Sequence, residues 1–487
     1  MEMISKPLLS ASLLLLITCL LSRLLSASRR NNADVEHYRR IPSPPAFPVV
    51  GHLHLLKKPL HRSLAALAKR YASDAGILLL RFGSKPVLLV TSAAVAGECF
   101  TIHDVALADR PGLASRRLLT EDFPSISTAN YGALWRQLRR LATVHALCAH
   151  RLAATTPARD AGARAMAARL RRRAGAAGSP VAVKAAAYEF VVAVIMAMVA
   201  GEGMTEEQVR RLKEMTEAGF AAAGAANRQD FLPAALRVMD FGRTAKRLAG
   251  IATARHQFGQ SLQQEGSPEP IDDVVIRTVC LSLLQAGTDT SSSTIEWAMA
   301  LLLKNPDVLK KATSEIHTIV GTSHLIKESD LTALPYLRCI ITETLRLKPL
   351  TPNHVPHEAS RDCMIAGYTV ARGTMVLVDV YSMQRDPNMW EDPEKFMPER
   401  FMDVNVEGDG RFMMPFGMGR RKCPGEGLAL RTVGMALGVM IQCFEWECAG
   451  EEVNLSEGSG LTMPMAVPLV ALCKPRAETE SLLKTLW

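Results

Sequence analysis

Phe416-Gly417-Met418-Gly419-Arg420-Arg421-Lys422-Cys423-Pro424-Gly425 is the stretch whose reading decides the fold and the chemistry of this 487-residue chain. Its glycines let the backbone turn sharply and approach a flat ligand closely. Cys423 follows three cations and precedes a predicted helix whose first position is Pro424. Positive neighbours and a helix N-terminus both depress a thiol pKa, so the sequence predicts a thiolate. A thiolate in a loop beside a helix suits a soft metal ligand better than a hydrolytic nucleophile. A cysteine-protease reading would need His and Asn partners, and no local signature supplies them. Ligation of haem iron by one thiolate fits, because electron donation from sulfur promotes O–O cleavage and loop amides aimed at the sulfur tune its potential.

The composition agrees with a packed enzyme. Apolar residues make up 48% and charged residues 22%, which excludes a disordered, collagenous or polytopic membrane chain. The formal charge of +9 fits an acidic partner or an anionic membrane surface. Nucleic acid is not indicated, because no basic tract is interleaved with aromatics. Ten cysteines are present, but none forms a CxxC and no spacing suggests a disulfide framework or zinc site.

Pro7 to Leu25 is almost wholly apolar, with Arg23 its one charge. At ~1.5 Å per residue it just spans ~30 Å of hydrocarbon. Arg29, Arg30, Arg39 and Arg40 follow, which places the bulk of the protein on the cytosolic side. A cleaved signal peptide is the alternative, with small residues at Ser26-Ala27-Ser28; the long apolar run and weak basic start speak against it. The expected organisation is an anchor over 1–28, a basic and proline-rich linker over 29–51, and a catalytic domain over 52–487. Four prolines between Pro42 and Pro48 make the linker stiff and extended.

Beyond Gly51 the pattern is mainly α with small β-sheets, an α+β class. Ile77–Phe82 and Pro86–Thr91 read as an early strand pair, and Ala-rich helices fill about 150 to 226, with Arg171-Arg172-Arg173 as a solvated helix end. One long helical pattern runs from Ile271 to Lys304, and another covers Leu334–Leu347 and stops at Pro349. Strands are expected at Cys363–Ile365, Tyr368–Val370 and Thr374–Val380, and a late helix from Pro424 to about Cys443.

With these motifs in place, the chain resembles the cytochrome P-450 family of haem-thiolate monooxygenases. The pattern Phe416-x-x-Gly419-x-Arg421-x-Cys423-x-Gly425 matches at all five positions. Glu343-Thr344-Leu345-Arg346 and Pro398-Glu399-Arg400-Phe401 match the family's buried charge network of Glu343, Arg346 and Arg400. Ala286-Gly287-Thr288-Asp289-Thr290 matches the oxygen-binding kink of the central helix, and Trp135-x-x-x-Arg139 the helix reaching a haem propionate. Taken singly, each has a bland reading: a solvated ion pair, a threonine back-bonding to a carbonyl, an amphipathic face. The resemblance is closest to plant microsomal members, in the group with isoflavone 2′-hydroxylases and grass herbicide hydroxylases.

The resemblance implies a P-450 fold, with a long central helix over haem b and a Cys423 loop, and a single-pass anchor in the endoplasmic reticulum membrane. Cys423 is the implied iron ligand; Trp135, Arg139, Arg421 and His357 are implied propionate partners. Phe416 and Gly425 shape the loop; Ala286 and Gly287 leave room for O2. Thr290 is expected to hydrogen-bond bound oxygen, and Asp289 to relay protons as a mobile carboxylate. Electrons are expected from NADPH through a membrane reductase, or cytochrome b5, docking on Arg136, Arg140, Arg420 and Lys422. The pocket walls are expected at Phe123, Ile126, Asn353, His354, Leu461 and Met463, around a flat apolar molecule such as a flavonoid, another specialised metabolite or a herbicide.

Two features depart from the group: Asn353-His354 stands where apolar residues are common, and the connection from Arg255 to Ile271 is short. The first suggests a more polar pocket. The second motivates a degenerate, non-catalytic alternative. A reductase-independent isomerase or dehydratase is the other competing reading, against which the intact Asp289 and Thr290 speak.

Overall fold

Residues 41–120, 124–174, 179–199, 204–223, 227–232, 243–261, 273–402 and 412–486 are described by the computed structural model. The expected anchor, most of the linker, Phe123 and residues 262–272 of the short connection lie outside them. Among the described residues no helix is long and apolar enough to cross a membrane.

The long pattern before Lys304 is one continuous helix, Asp273–Lys304, with no break at Gly287. Its C-terminal half is buried on every side: Ile295, Trp297, Ala298, Met299 and Leu302 are all fully covered. A helix that is apolar all round must lie inside the core. It packs along Val183–Val199, itself apolar on most of its surface, and against Glu426–Cys443. Two of its buried polar side chains are tied to the chain segment after Leu461: Trp297 donates its indole N–H to the Met463 carbonyl at 2.9 Å, and Glu296 accepts the Leu469 N–H at 2.9 Å.

Proline sets two neighbouring helix starts. Pro306 opens Pro306–Ile319 and Pro335 opens Pro335–Leu347, where a missing N–H costs nothing. The Ala-rich region divides into Thr156–Ala174, Val183–Val199 and Glu206–Ala222, with a short strand, Ser179–Ala182, between the first two. The sequence reading missed that strand because its partner, Val470–Pro475, is almost three hundred residues away. The expected solvated arginines are partly engaged: Arg171 pairs with Glu480 at 3.0 Å and Arg173 with Glu189 at 3.0 Å.

The sheets are small. The largest orders its strands Ile77–Phe82, Lys85–Val90, Met375–Val378 and His357–Glu358. Lys85–Val90 runs parallel to Met375–Val378, pairing Val87 with Met375. The turn at Gly83 has φ of 59°, and a Cβ there would meet the Phe231 carbonyl oxygen at 1.8 Å, so only glycine fits. A three-stranded sheet joins Ser179–Ala182, Val470–Pro475 and Phe444–Cys448, and Cys363–Ile365 pairs with Tyr368–Val370. The end of the proline-rich linker is tied to the body, with Leu79 N–H donating to the Pro42 carbonyl at 2.8 Å.

Glu457 fastens the 457–463 segment. Its carboxylate meets His61 at 3.0 Å, Arg62 at 2.7 Å and Lys348 at 2.7 Å. Burial alone would raise the carboxyl pKa, but the hydrogen bonds from His61 and Arg62 and the Lys348 charge hold it well below the usual range. A depressed carboxylate stabilises the fold above its unfolded value and loses that contribution as the pH falls toward the folded one. Glu457→Gln is therefore expected to cost about 2 kcal/mol at neutral pH. The difference from wild type should shrink below about pH 4, as read from denaturant midpoints across the acid range.

Candidate active site

A cavity of ≈ 410 Å³ opens between the central helix and the Cys423 loop. The loop is built by two left-handed glycines, Gly417 at φ 73° and Gly419 at φ 66°. A Cβ on Gly419 would fall 2.6 Å from both Asp104 Oδ1 and the Phe100 carbonyl oxygen, so the turn cannot carry a side chain there. The Cys423 N–H donates to the Phe416 carbonyl at 2.7 Å, closing the loop under the cavity.

Cys423 lines the cavity, and its accessible surface is on that side. The helix after it starts at Glu426, with Gly425 as N-cap, two residues later than the sequence reading placed it. The N–H groups of Gly425 and Glu426 therefore point at the sulfur, and Arg139 adds positive charge; all three favour the thiolate. Burial outweighs them and pushes the thiol up, which corrects the expectation of a pre-formed thiolate. A metal cation bound at the sulfur would reverse that balance.

Arginines dominate the polar lining. Arg110, Arg116, Arg139 and Arg421 face the cavity, and no Asp or Glu among the described residues does. Arg421 donates to the carbonyls of Ala108 at 2.8 Å, Ile126 at 2.9 Å and Ala129 at 2.6 Å, while Arg139 donates to Lys422 O at 2.6 Å. Burial pushes the Arg421 guanidinium down to about 10. Arg110 is buried and donates to Ser127 O at 3.0 Å and to Val355 O and Pro356 O at 2.9 Å. Sequence reasoning missed Arg110, although a cation closing the apolar run Ala106-Leu107-Ala108 just before Pro111 was the available signal. Buried cations held by carbonyls call for an anion, and a flat, dianionic macrocycle seated over a cysteine supplies it. The donor set thus fits haem.

Trp135 borders the cavity beneath the Arg421 guanidinium, 4.7 Å from ring centre to carbon, but its indole N–H is committed to Ile126 O at 3.1 Å. His357 also lines it, with Nδ1 2.7 Å from Leu107 O. A carbonyl only accepts, so Nδ1 carries the proton and the neutral ring presents Nε2 as an acceptor. Burial and the Arg110 charge push the His357 imidazolium far down, so donation to a propionate requires a second proton that the anion itself must favour. This modifies the expected donor role.

On the opposite wall, Ala286, Gly287 and Thr290 face the cavity. A Cβ on Gly287 would come 2.6 Å from Ile195 Cδ1, so the helix is held close against Val183–Val199. Thr290 donates its hydroxyl to the Ala286 carbonyl at 2.6 Å, which leaves its oxygen free to accept a hydrogen bond. Asp289 is not on the lining. It is buried and paired with Lys184 at 2.8 Å, and Lys184 continues to Glu217 at 3.2 Å. The carboxylate is thus clamped rather than mobile; Lys184, at the start of an Ala-rich helix, gave no sequence signal.

Ile126, His354 and Leu461 reach the cavity. His354 holds its Nε2 2.9 Å from Met414 O, and burial pushes its pKa to about 4, so it is neutral and mostly spoken for. Asn353 instead lines a separate cleft of ≈ 20 Å³ beside His61, which corrects its placement in the substrate pocket. Met463 is fully buried behind the cavity, its N–H donating to Leu350 O at 2.8 Å, and Leu461 N–H reaches Phe220 O at 3.1 Å.

Behind the site, Glu343 and Arg346 form a bidentate pair at 2.6 and 2.8 Å, both fully buried. Arg400 joins at 3.1 Å and Met397 N–H at 3.0 Å. On the outer face Arg136 and Arg140 are exposed, whereas Arg420 pairs with Asp104 at 2.8 Å and Lys422 with Glu426 at 2.7 Å.

Comparison with known proteins agrees with this architecture. A cytochrome P450 family model matches residues 41–268 and 259–468. A (+)-piperitol/(+)-sesamin synthase of Sesamum radiatum is 39% identical over 95% of this chain and 95% of its own length. An isoflavone 3′-hydroxylase of Medicago truncatula is 38% identical over 89% and 92%. An isoflavone 2′-hydroxylase of Glycyrrhiza echinata is 35% identical over 91% and 93%. The chain belongs to the cytochrome P450 family and is a haem-dependent monooxygenase that takes O2 and NADPH-derived electrons.

Proposed function

We propose that Cys423 would ligate the haem iron through its sulfur, that Arg110, Arg139 and Arg421 would hold the haem propionates, and that the substrate is a flat aromatic, flavonoid-like molecule with few hydroxyls. The carrying observation is a cavity with a cysteine at its base, four arginines and no carboxylate in its described lining. Bound haem supplies the activation of O2 and insertion of one oxygen atom into a C–H bond. The chain's own residues do the rest. Leu113, Ile195, Phe220 and Leu461 offer an apolar surface that orients the substrate and excludes water. Thr290 accepts or passes a proton at its hydroxyl oxygen. Lys184 holds Asp289 close by, so a proton reaches Thr290 only when that ion pair opens.

A reductase is the partner; we further propose that it docks around exposed Arg136 and Arg140, and that the apolar N-terminus anchors the chain in the endoplasmic reticulum membrane. The test is the full-length chain with a plant reductase in vesicles, given NADPH, isotope-labelled O2 and a panel of flavonoids and isoflavones. A hydroxylated product carrying the label is expected; NADPH-independent conversion would instead mark an isomerase. Asp289→Asn is expected to lower product formation about 100-fold while leaving substrate-induced spectral changes intact. Equal rates for the two proteins would remove Asp289 from the proton path.

A further inference from the structure

The side-chain amide of Asn353 holds a donor, Nδ2, that is sealed from solvent and has no hydrogen-bond partner among the described residues. Buried N–H groups are almost always satisfied, by protein or by ordered water. The side chain lines the cleft of ≈ 20 Å³ beside His61. A polar space of about that size takes one water and nothing larger. The two histidines of the cleft are already engaged, His61 with Glu457 at 3.0 Å and His354 with the Met414 carbonyl at 2.9 Å.

The segment from Gly458 to Thr462 lines the cleft as well. An antiparallel bridge between Glu457 and Met465 closes it into a loop, and Gly458 N–H donates to the Pro464 carbonyl at 2.7 Å. Past Gly458 that pairing stops: among the described residues the carbonyls of Ser459, Gly460, Leu461 and Thr462 accept no backbone hydrogen bond. A buried water makes about three hydrogen bonds. One accepted from Nδ2 and two donated to carbonyls of the loop satisfy both sides of the cleft at once. Leu461, Thr462 and His354 also line the large cavity over Cys423. The cleft therefore backs directly onto the substrate space, with Leu461 and Thr462 as the shared wall.

We propose that the cleft is the site of one buried water, held by Asn353 Nδ2–H and the carbonyls of the 459–462 loop, and that this water fixes Leu461 and Thr462 against the substrate. Asn353 is then a positioning residue for specificity. It acts through the water and the loop, and touches neither substrate nor haem. The water site stands on the cleft alone, whereas its effect on specificity rests on the proposed flavonoid-like substrate in the large cavity.

The experiment compares the full-chain holoenzyme in three forms: wild type, Asn353→Leu, which keeps the size and removes the donor, and Asn353→Ser, whose hydroxyl still donates. A high-resolution crystal structure of wild type is expected to show one water within hydrogen-bond distance of Nδ2. A dry cleft, or a flavone oxygen in place of the water in a flavone-soaked crystal, overturns the proposal. Amide hydrogen exchange of the peptide 458–463, read by mass spectrometry, should run about tenfold faster in Asn353→Leu and within about twofold of wild type in Asn353→Ser. Unchanged exchange in Asn353→Leu, or equal acceleration in both variants, overturns it. With reductase, NADPH and flavone, the ratio of hydroxylated products should shift at least about threefold in Asn353→Leu and return in Asn353→Ser. Faster exchange with an unchanged product ratio overturns the specificity role. If Asn353→Leu does not fold, the water in the wild-type crystal and the exchange of Asn353→Ser decide. A wild type that oxidises no flavonoid sinks the substrate reading alone, because the crystal and exchange results still judge the water site.

Discussion

Cys423→Ala is expected to abolish the haem-thiolate carbon-monoxide signature and lower turnover by more than about 100-fold, beyond what changes around a metal ligand produce. The reason is local. Cys423 is the cysteine on the cavity lining, and the other described cysteines sit elsewhere in the fold. Substitution by alanine also leaves the Gly425 and Glu426 N–H groups aimed at nothing, so even a haem retained by the arginines lacks an axial sulfur. A Cys423→Ala protein whose reduced carbon-monoxide spectrum and product yield match wild type would remove the sulfur from the reaction.

The second large effect lies behind the site. Glu343→Ala is expected to destabilise the fold by about 3–5 kcal/mol, because it leaves Arg346 charged and uncompensated in the core. Arg346 has no exposed surface to escape to, and it lies over the Trp390 ring at 5.2 Å. It also ties three segments together through the carbonyls of Gln384 and Pro393, both at 2.8 Å, and Lys395 at 3.2 Å. Arg346→Ala therefore orphans those acceptors and the carboxylate at once, and should be at least as damaging. The double variant should fall well short of the sum of the two, as expected for groups sharing one network. Urea unfolding of the four proteins measures this; additive losses would mean the pair is not coupled.

These two sites were legible in the sequence for different reasons. Glu343 and Arg346 are three apart on one helix, so that they pair follows from geometry once the helix is inferred, whereas their burial came from the family resemblance, since such a pair taken singly is usually solvated. The Cys423 loop was legible because glycines at left-handed positions leave a pattern that few other needs produce. What escaped was whatever depends on distant pairing. The strand Ser179–Ala182 exists through its partner near the C-terminus. Lys184 matters because the helix it starts lies along the central helix and delivers its ammonium to Asp289. Asn353 and His354 are adjacent and share the small cleft, yet His354, at φ of 52°, also reaches the large cavity and Asn353 does not. No local rule announces a left-handed histidine.

The segment around Leu461 is held unevenly. It is stitched by Met463 N–H to the Leu350 carbonyl and held by Glu457, but among the described residues one backbone hydrogen bond, from Leu461 N–H to Phe220 O, ties it to the helix Glu206–Ala222. A single such bond nets about 0.5–1.5 kcal/mol. A bond of that size yields to thermal motion before the Glu457 ion cluster does, so the contact with Phe220 is the side of this segment expected to part first.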